Sequence, residues 1–430
     1  AEIASLMNLY RKAYHVFAVL VFAAGMAVLP FIHLFMKNNS YSLSYIRVLY
    51  AMWLVRTVLS YLLTYRKSLL IADQKEYIAS ITGLILNVVS YLAIILLVTW
   101  EQNYLLALGI GTVTEVVLNI WISWYVEQKY PFLRQRRKEK STSSLTKRIV
   151  RDLKSLFISR ISEKMLYCTD NLIISGFIGV GTVGRYANYC MITQAISNIL
   201  TILANTIQPT VGDYFTEKNR QRNYEILRQL TFGFFCIASV VSVGLFSLIT
   251  PFVRDIWLGP SYELGWGITV FCIVVLLVRI MGLPLSLVMG VTGLFEKEKN
   301  VGASSALLNL IVSLALVKPY GMAGVLLGTL LSYLLQILYR YIIYFRDFLE
   351  MPGEALRYAQ DIGEYLAVIA GEVLLMQKIV PLIYGAGGML LFCVCFLLCI
   401  AIPLLLDLVI FGRGWRLQSI VTMVKGMRKA

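Results

Sequence analysis
The sequence predicts an all-α polytopic membrane protein. It should have about twelve transmembrane helices in these residues, about fourteen in the intact protein, arranged as two pseudo-symmetric lobes. Three observations carry that expectation. Of 430 residues, 58% are hydrophobic and only 15% charged, with a mean hydropathy of +0.73, whereas soluble domains are about one quarter charged. Apolar runs of about 20 residues, enough to cross a hydrocarbon layer about 30 Å thick, recur along the chain. Most of the basic residues fall in alternate connections between those runs, the pattern that sets orientation in a membrane.

The runs lie at 13–36, 45–66, 78–100, 104–125, 153–178 and 185–210, then at 228–250, 265–290, 300–318, 321–344, 362–381 and 386–411. None alternates with the two-residue period of an outer-membrane barrel strand, so each is expected as a helix that satisfies its own backbone polar groups in lipid. Segments 1–12, 66–77, 126–154, 211–228, 291–300, 340–361 and 412–430 hold 29 of the 39 Lys and Arg. That side is the cytoplasmic one, which places both termini inside. The net charge of +15 then reflects loops facing anionic lipid, and no nucleic-acid partner is implied. The densest basic stretch, RQRRKEKSTSSLTKR at 134–148, marks 126–152 as a cytoplasmic loop between lobes. The domains expected are a partial N-terminal lobe at 1–125, that loop, a C-terminal lobe at 153–344, and a terminal helix pair with a basic tail at 345–430.

Displaced by about 222 positions, the chain aligns with itself. Pro30-Phe31 meets Pro251-Phe252, Leu54-Val55-Arg56 meets Leu277-Val278-Arg279, Lys75-Glu76 meets Lys297-Glu298, Asn87 meets Asn309, and Gly111-Thr112 meets Gly328-Thr329. Parallel repeats are a recurring transporter design with the substrate bound between halves. The same offset carries 153–178 and 185–210 to positions before residue 1. A helix pair of about 70 residues is therefore expected ahead of the residues given.

Charged residues inside these runs are the functional candidates, because a charge at mid-bilayer costs about 2.5–3.5 kcal/mol even on the lenient insertion scale. Arg56 and Arg279 lie mid-run and are expected to face water, a partner or substrate. In LFISRISEKMLYCTDNLIISGFIG, Arg160, Glu163 and Lys164 share one helical face that should line a hydrated cavity. Asp170 lies off that face and is read as holding the outer turn or as an ion-coupling group. Glu115 and Glu372 are each either an ion-coupling carboxylate or a counter-ion for Arg56 or Arg279; Glu163 belongs to the same class. Gly179, Gly181 and Gly184 spell a G-x-G-x-x-G motif, but they join two membrane runs and read as a tight hairpin rather than a nucleotide loop. The seven cysteines all lie in apolar runs without a histidine beside them and read as packing residues. No cofactor and no metal is implied.

The segment DNLIISGFIGVGTVGRYANYCMI, residues 170–192, resembles the bacterial polysaccharide-biosynthesis flippases, the Wzx-type O-antigen or capsule repeat-unit exporters of the MATE-like MOP superfamily. PFVRDIWLG at 251–259, GLFEKEKN at 293–300 and NLIVSLALVKPYGMAGVLLGTLLS at 309–332 extend the likeness over about residues 1–345. It is nearest to Gram-positive members. The resemblance implies a fourteen-helix, two-lobed transporter of the plasma membrane with a cationic central cavity. Its partner would be an undecaprenyl-pyrophosphate-linked oligosaccharide, moved between leaflets by alternating access and driven by Na⁺ or H⁺ or the membrane potential. It also implies contact with membrane lipid and with a polysaccharide assembly machinery.

The physical reading agrees, since arginine suits bidentate phosphate contact. Arg56 and Arg279 would meet the pyrophosphate, Arg160 and Lys164 would add positive potential, and Asn188 would contact sugar, with Tyr186 and Tyr189 read as interfacial anchors. A cation-coupled drug or metabolite antiporter would share the fold but is expected to rely on acidic pocket residues. A membrane glycosyltransferase or polymerase needs larger outer loops bearing catalytic acids, so the chain is not expected to be an enzyme.

Overall fold
A computed structural model describes residues 2–37, 41–101, 103–131, 168–215, 219–294, 299–385 and 387–412. All regular structure among them is helical. Ten helices are long and apolar enough to cross a membrane. Of the two further runs expected, 45–66 forms a helix of 22 residues, about 33 Å long, whose two arginines lower its apolarity. The other, 153–178, is described only from residue 168.

The chain divides into two compact units, Ala1–Lys154 and Ser155–Ala430. In the first, α1 (Glu2–Val28), α2 (Leu43–Thr64), the short α3 (Lys67–Ala72), α4 (Glu76–Glu101) and α5 (Tyr104–Lys129) follow in order. Ser42 caps α2 by accepting from the Tyr45 amide at 3.3 Å, and Asn103 caps α5 through the Leu105 amide at 3.0 Å, as expected of short polar residues at helix starts. α2 packs on both α1 and α5, and α4 packs on α5. Only 11% of the apolar window of α1, and of α4, is buried, so most of their surface is offered to hydrocarbon. The basic segment expected to begin at 126 begins later, because α5 continues to Lys129.

The second unit contains α6 (168–177), α7 (Val180–Tyr214), α8 (Arg220–Pro251), α9 (Trp266–Val291), α10 (Lys299–Tyr320), α11 (Met322–Ile342), α12 (Pro352–Tyr384) and α13 (Met389–Phe411). α8 is its core, with 61% of its apolar window buried and α9, α12 and α13 packed around it. The terminal pair α12–α13 is thus an integral part of this unit. Gly179, at φ +142°, makes the α6–α7 hairpin, since that conformation is open to glycine alone. Gly181 and Gly184 have open space around them, and only the first glycine of the motif is demanded by geometry. Tyr186 and Tyr189 are buried rather than interfacial: Tyr189 has no exposure and its hydroxyl accepts from the Leu264 amide at 3.2 Å.

The landmarks of the repeat fall on corresponding helices. Pro30-Phe31 lies in the 3₁₀ turn Leu29–Phe35 that ends α1, and Pro251-Phe252 at the junction of α8 with the π-helical segment Phe252–Trp257. Arg56 and Arg279 occupy α2 and α9, and Gly111 and Gly328 occupy α5 and α11. Proline lacks the N–H that the α ladder needs, which accounts for the change of helix type at both ends.

Candidate functional site
Polar residues within the described spans gather into three groups, one in the first unit and two in the second. In the first unit, Arg56 reaches from α2 to α5, where its Nε donates to Glu115 Oε2 at 2.6 Å. Its guanidinium also lies 5.0 Å from the centroid of the Trp53 ring. Gly111, one turn before Glu115, leaves room for it, since a Cβ there would sit 3.3 Å from Nη1. Both side chains keep about a third of their surface open, 29% for Arg56 and 32% for Glu115. Glu115 is therefore the counter-ion of Arg56.

The pair heads a polar stripe along α5. Asn119 Nδ2 donates to the Glu115 carbonyl at 2.9 Å, and its Oδ1 accepts from Thr64 Oγ1 at 3.2 Å. Arg66 donates to the Ser123 carbonyl at 3.2 Å and pairs with Glu127 at 2.6 Å. Gly111, Glu115, Asn119, Ser123 and Glu127 recur every fourth residue, so each neighbours the next one turn on, and the stripe winds about 40° round the helix per step over about 24 Å. The far end opens into a cavity of about 390 Å³ whose lining includes Arg11, His15, Tyr65, Arg66, Ser123 and Glu127. Sequence reasoning singled out Glu115 alone; the four-residue spacing was the signal for the rest. Beside this end, outside the spans, the Tyr130 hydroxyl donates to Asp73 at 2.5 Å. The Lys75 ammonium and then Tyr130 hold the Asp73 carboxyl below its ordinary value. Partial burial and the bond to Asp73 push Tyr130 up to about 12.

The second group joins α6, α10 and α11. Thr329 Oγ1 donates to Asp170 Oδ2 at 2.7 Å, Asn309 Nδ2 donates to Thr329 Oγ1 at 2.9 Å, and Thr169 Oγ1 donates to Asn309 Oδ1 at 3.1 Å. Ser313 donates to the Val325 carbonyl at 3.2 Å. Asn309 and Ser313 have no exposure and Asp170 only 4%, while Asp170 Oδ1 has no hydrogen-bond partner among the described residues. Asp170 does not hold the outer turn: it lies inside α6, and the turn falls at 178–179. A buried carboxylate ringed by oxygen-bearing side chains is suited to a proton or a small hard cation.

The third group lies among α8, α12 and α13. Glu372 is 3% exposed and accepts from Ser239 Oγ at 2.6 Å through Oε2. It is no counter-ion: among the described residues it enters no ion pair, and its Oε1 is unpartnered. Asp407 of α13, which an otherwise apolar run concealed, is equally buried. Eleven residues before Glu372, Asp361 takes a bidentate contact from Arg228, Nε–Oδ2 at 2.6 Å and Nη2–Oδ1 at 2.9 Å.

Of the other expected site residues, Arg279 on α9 lies over the Tyr333 ring of α11 at 5.4 Å, the repeat's counterpart of Arg56 reaching α5. Asn188 turns its amide back to the Gly184 carbonyl at 3.0 Å, which occupies one of the groups proposed for sugar. Arg160, Glu163 and Lys164 lie outside the described residues.

Comparison with known proteins gives this arrangement its context. Residues 7–215 match the polysaccharide biosynthesis protein family. Polysaccharide-flippase resemblance and family match thus coincide over the first unit, α6 and α7. Among curated proteins no sequence matches the chain. In fold it is similar to lipid II flippase MurJ in an inward closed conformation, at 15% identity and a TM-score of 0.66 over 94% of this chain and 84% of that one. It is also similar to a mutant of the Vibrio cholerae MATE transporter VcmN, at 11% identity and a TM-score of 0.52 over 80% of this chain and 78% of that one. The expected MATE-like, all-helical membrane fold is the one observed.

Proposed function
We propose that the chain is a flippase that moves polyprenyl-pyrophosphate-linked oligosaccharide repeat units across the bacterial plasma membrane by alternating access, with both termini cytoplasmic. The observation that carries this reading is the α5 stripe. It begins at a half-open Arg56–Glu115 pair at mid-helix and runs to a cavity edged by Arg11 and Arg66. A sugar-bearing pyrophosphate cannot enter hydrocarbon, and a winding polar stripe with an arginine at each end offers it a path. The polysaccharide-biosynthesis match over residues 7–215 supports the substrate class. Arg56 in the first unit and Arg279 in the second are the residues we assign to the pyrophosphate. Arg160 and Lys164 are assigned to the same anion on sequence grounds. The Asp170 cluster is assigned to a coupling Na⁺ or H⁺, since its acceptor oxygens outnumber its donors.

The test is cellular. Arg56 and Arg279 are each replaced by Ala and by Lys, membrane levels are matched, and surface polysaccharide is assayed together with lipid-linked precursor in the inner leaflet. Lost export with accumulating precursor is expected for Ala, and a failing Lys variant points to bidentate contact. Because Glu115 already pairs with Arg56, the exchanged variant Arg56→Glu/Glu115→Arg is the control. Export restored by the exchange marks the pair as structural and removes Arg56 from the substrate path. A cation-coupled antiporter, the reading the MATE fold also admits, predicts normal surface polysaccharide in every variant.

A further inference from the structure
The carboxyls of Glu372 and Asp407 stand apart from the path assigned above. Each is 3% exposed, and the hydrogen bond that anchors the pair runs from Ser239 Oγ to Glu372 Oε2. Among the described residues, Glu372 Oε1 and both oxygens of Asp407 have no partner. The two carboxyls and Cys236, one turn before Ser239 on α8, lie within electrostatic reach of one another. A buried carboxylate without donors is costly, and two of them sharing one site cannot both ionise.

Among the described residues, nothing that faces the pair supplies a compensating charge. From α8 come Ser239 and Cys236, with Arg228 two turns further on already joined to Asp361. From α12 comes Tyr365, two turns before Glu372, and from α13 comes Cys399, two turns before Asp407. Lys378 of α12 is on the exposed side of its helix. The π-helical segment Ile343–Leu349 meets α12 at Tyr358, through Phe345. Toward the end at which α8 begins, Phe232, Phe235 and Tyr365 pack ring against ring with Phe411 edge-on to them, the Phe235 and Tyr365 centroids 4.4 Å apart. That aromatic layer, the thiols and the two hydroxyls of Ser239 and Tyr365 make a poor shell for a metal ion, which wants about six oxygen ligands. They suit a proton, which needs one.

We propose that Glu372 and Asp407 are a proton-binding site of the terminal helix pair, holding one proton between them and releasing it as a charge placed between α8 and α12–α13. The site is distinct from the Asp170 cluster and does not depend on which substrate is carried.

The full chain in sodium-free lipid nanodiscs is followed by infrared spectroscopy while the buffer is made alkaline, in H₂O and in D₂O. Expected is the carbonyl stretch of an isolated protonated carboxylic acid, isotope-sensitive and lost on alkalinisation. It should be present in Asp170→Asn and missing in the Glu372→Gln/Asp407→Asn double variant. In Asp407→Asn alone the remaining band should titrate at a lower pH, because Glu372 has lost its like-charged neighbour, and Glu372→Gln should shift the Asp407 band likewise. The proposal is overturned if the unaltered protein shows no such band. It fails equally if replacing one acid leaves the other's midpoint unmoved, or if sodium at constant pH abolishes the band, which would make this a metal-cation site. Absence of the band from the unaltered protein, or its loss to sodium there, overturns the proposal even where a variant does not fold.

Discussion

Single side chains in this protein do their work where hydrocarbon withdraws the alternative of hydration. Arg228 and Asp361 show this: two parallel N–H···O contacts at 2.6 and 2.9 Å tie α8 to α12, with Asp361 nearly enclosed. Removing one member leaves the other buried without its partner, at a cost of roughly 3–5 kcal/mol. Asp361→Asn and Arg228→Ala are each expected to lower the melting temperature of the detergent-purified protein sharply. Arg228→Met/Asp361→Leu should recover most of the loss; no recovery would mean the pair has a role beyond mutual neutralisation. At the edge of the first unit the Asp73–Tyr130 contact gives a pH signature. Asp73 is held below its ordinary carboxyl value, so its contribution is present above that value and disappears as pH falls through the lowered one. Tyr130→Phe removes one of the three groups lowering Asp73, Lys75 and Lys129 being the others, so the Asp73 carboxyl, followed by NMR, should titrate nearer its ordinary value. An unchanged Asp73 midpoint would show that the lysines Lys75 and Lys129 set it without Tyr130.

At the scale of elements, close approach depends on glycine. Gly324 and Gly328, spaced four apart on α11, lie against α10, as small residues do where membrane helices meet. A Cβ at Gly324 would collide with the Leu316 backbone carbonyl, and one at Gly328 with Ser313 Oγ. Backbone cannot swing aside as a flexible side chain can. Gly324→Ala is therefore expected to wedge α10 from α11 and to destabilise by about 1–3 kcal/mol, read as a lower melting temperature. Gly328→Ala should in addition disturb the adjoining Asn309–Thr329–Asp170 chain, since Thr329 is the next residue and the new Cβ would sit 3.1 Å from the Asn309 carbonyl. If Gly324→Ala is neutral, α10 and α11 are not held as closely as described.

At the scale of the molecule, the distribution of lysine and arginine makes a prediction about sidedness. In a background free of the seven cysteines, Glu101→Cys, at the end of α4, should react with a membrane-impermeant maleimide in intact cells. Lys75→Cys, at its start, should react only after lysis. The reverse pattern would invert the topology and place both termini outside.

Hydropathy and the exclusion of unsatisfied backbone from lipid determine helices and nearly their number, and these were legible in the residues alone. So was the repeat, because Arg56 and Arg279, or Gly111 and Gly328, keep their spacing whatever the packing. The Gly179 hairpin was legible too, since a backbone conformation belongs to one residue and its neighbours. Pairing was not. Whether Glu115 couples an ion or neutralises Arg56 depends on α2 lying against α5, and the same packing lets Thr64 and Arg66 reach Asn119, Ser123 and Glu127. Tyr189 read as an interfacial anchor and is core, because periodicity along one helix does not say which neighbour covers it. Asp407 sat unnoticed in the most apolar run of the chain until the fold set it beside Glu372. A carboxyl's chemistry is decided by the groups within a few ångströms of it, and across helices only tertiary structure supplies those.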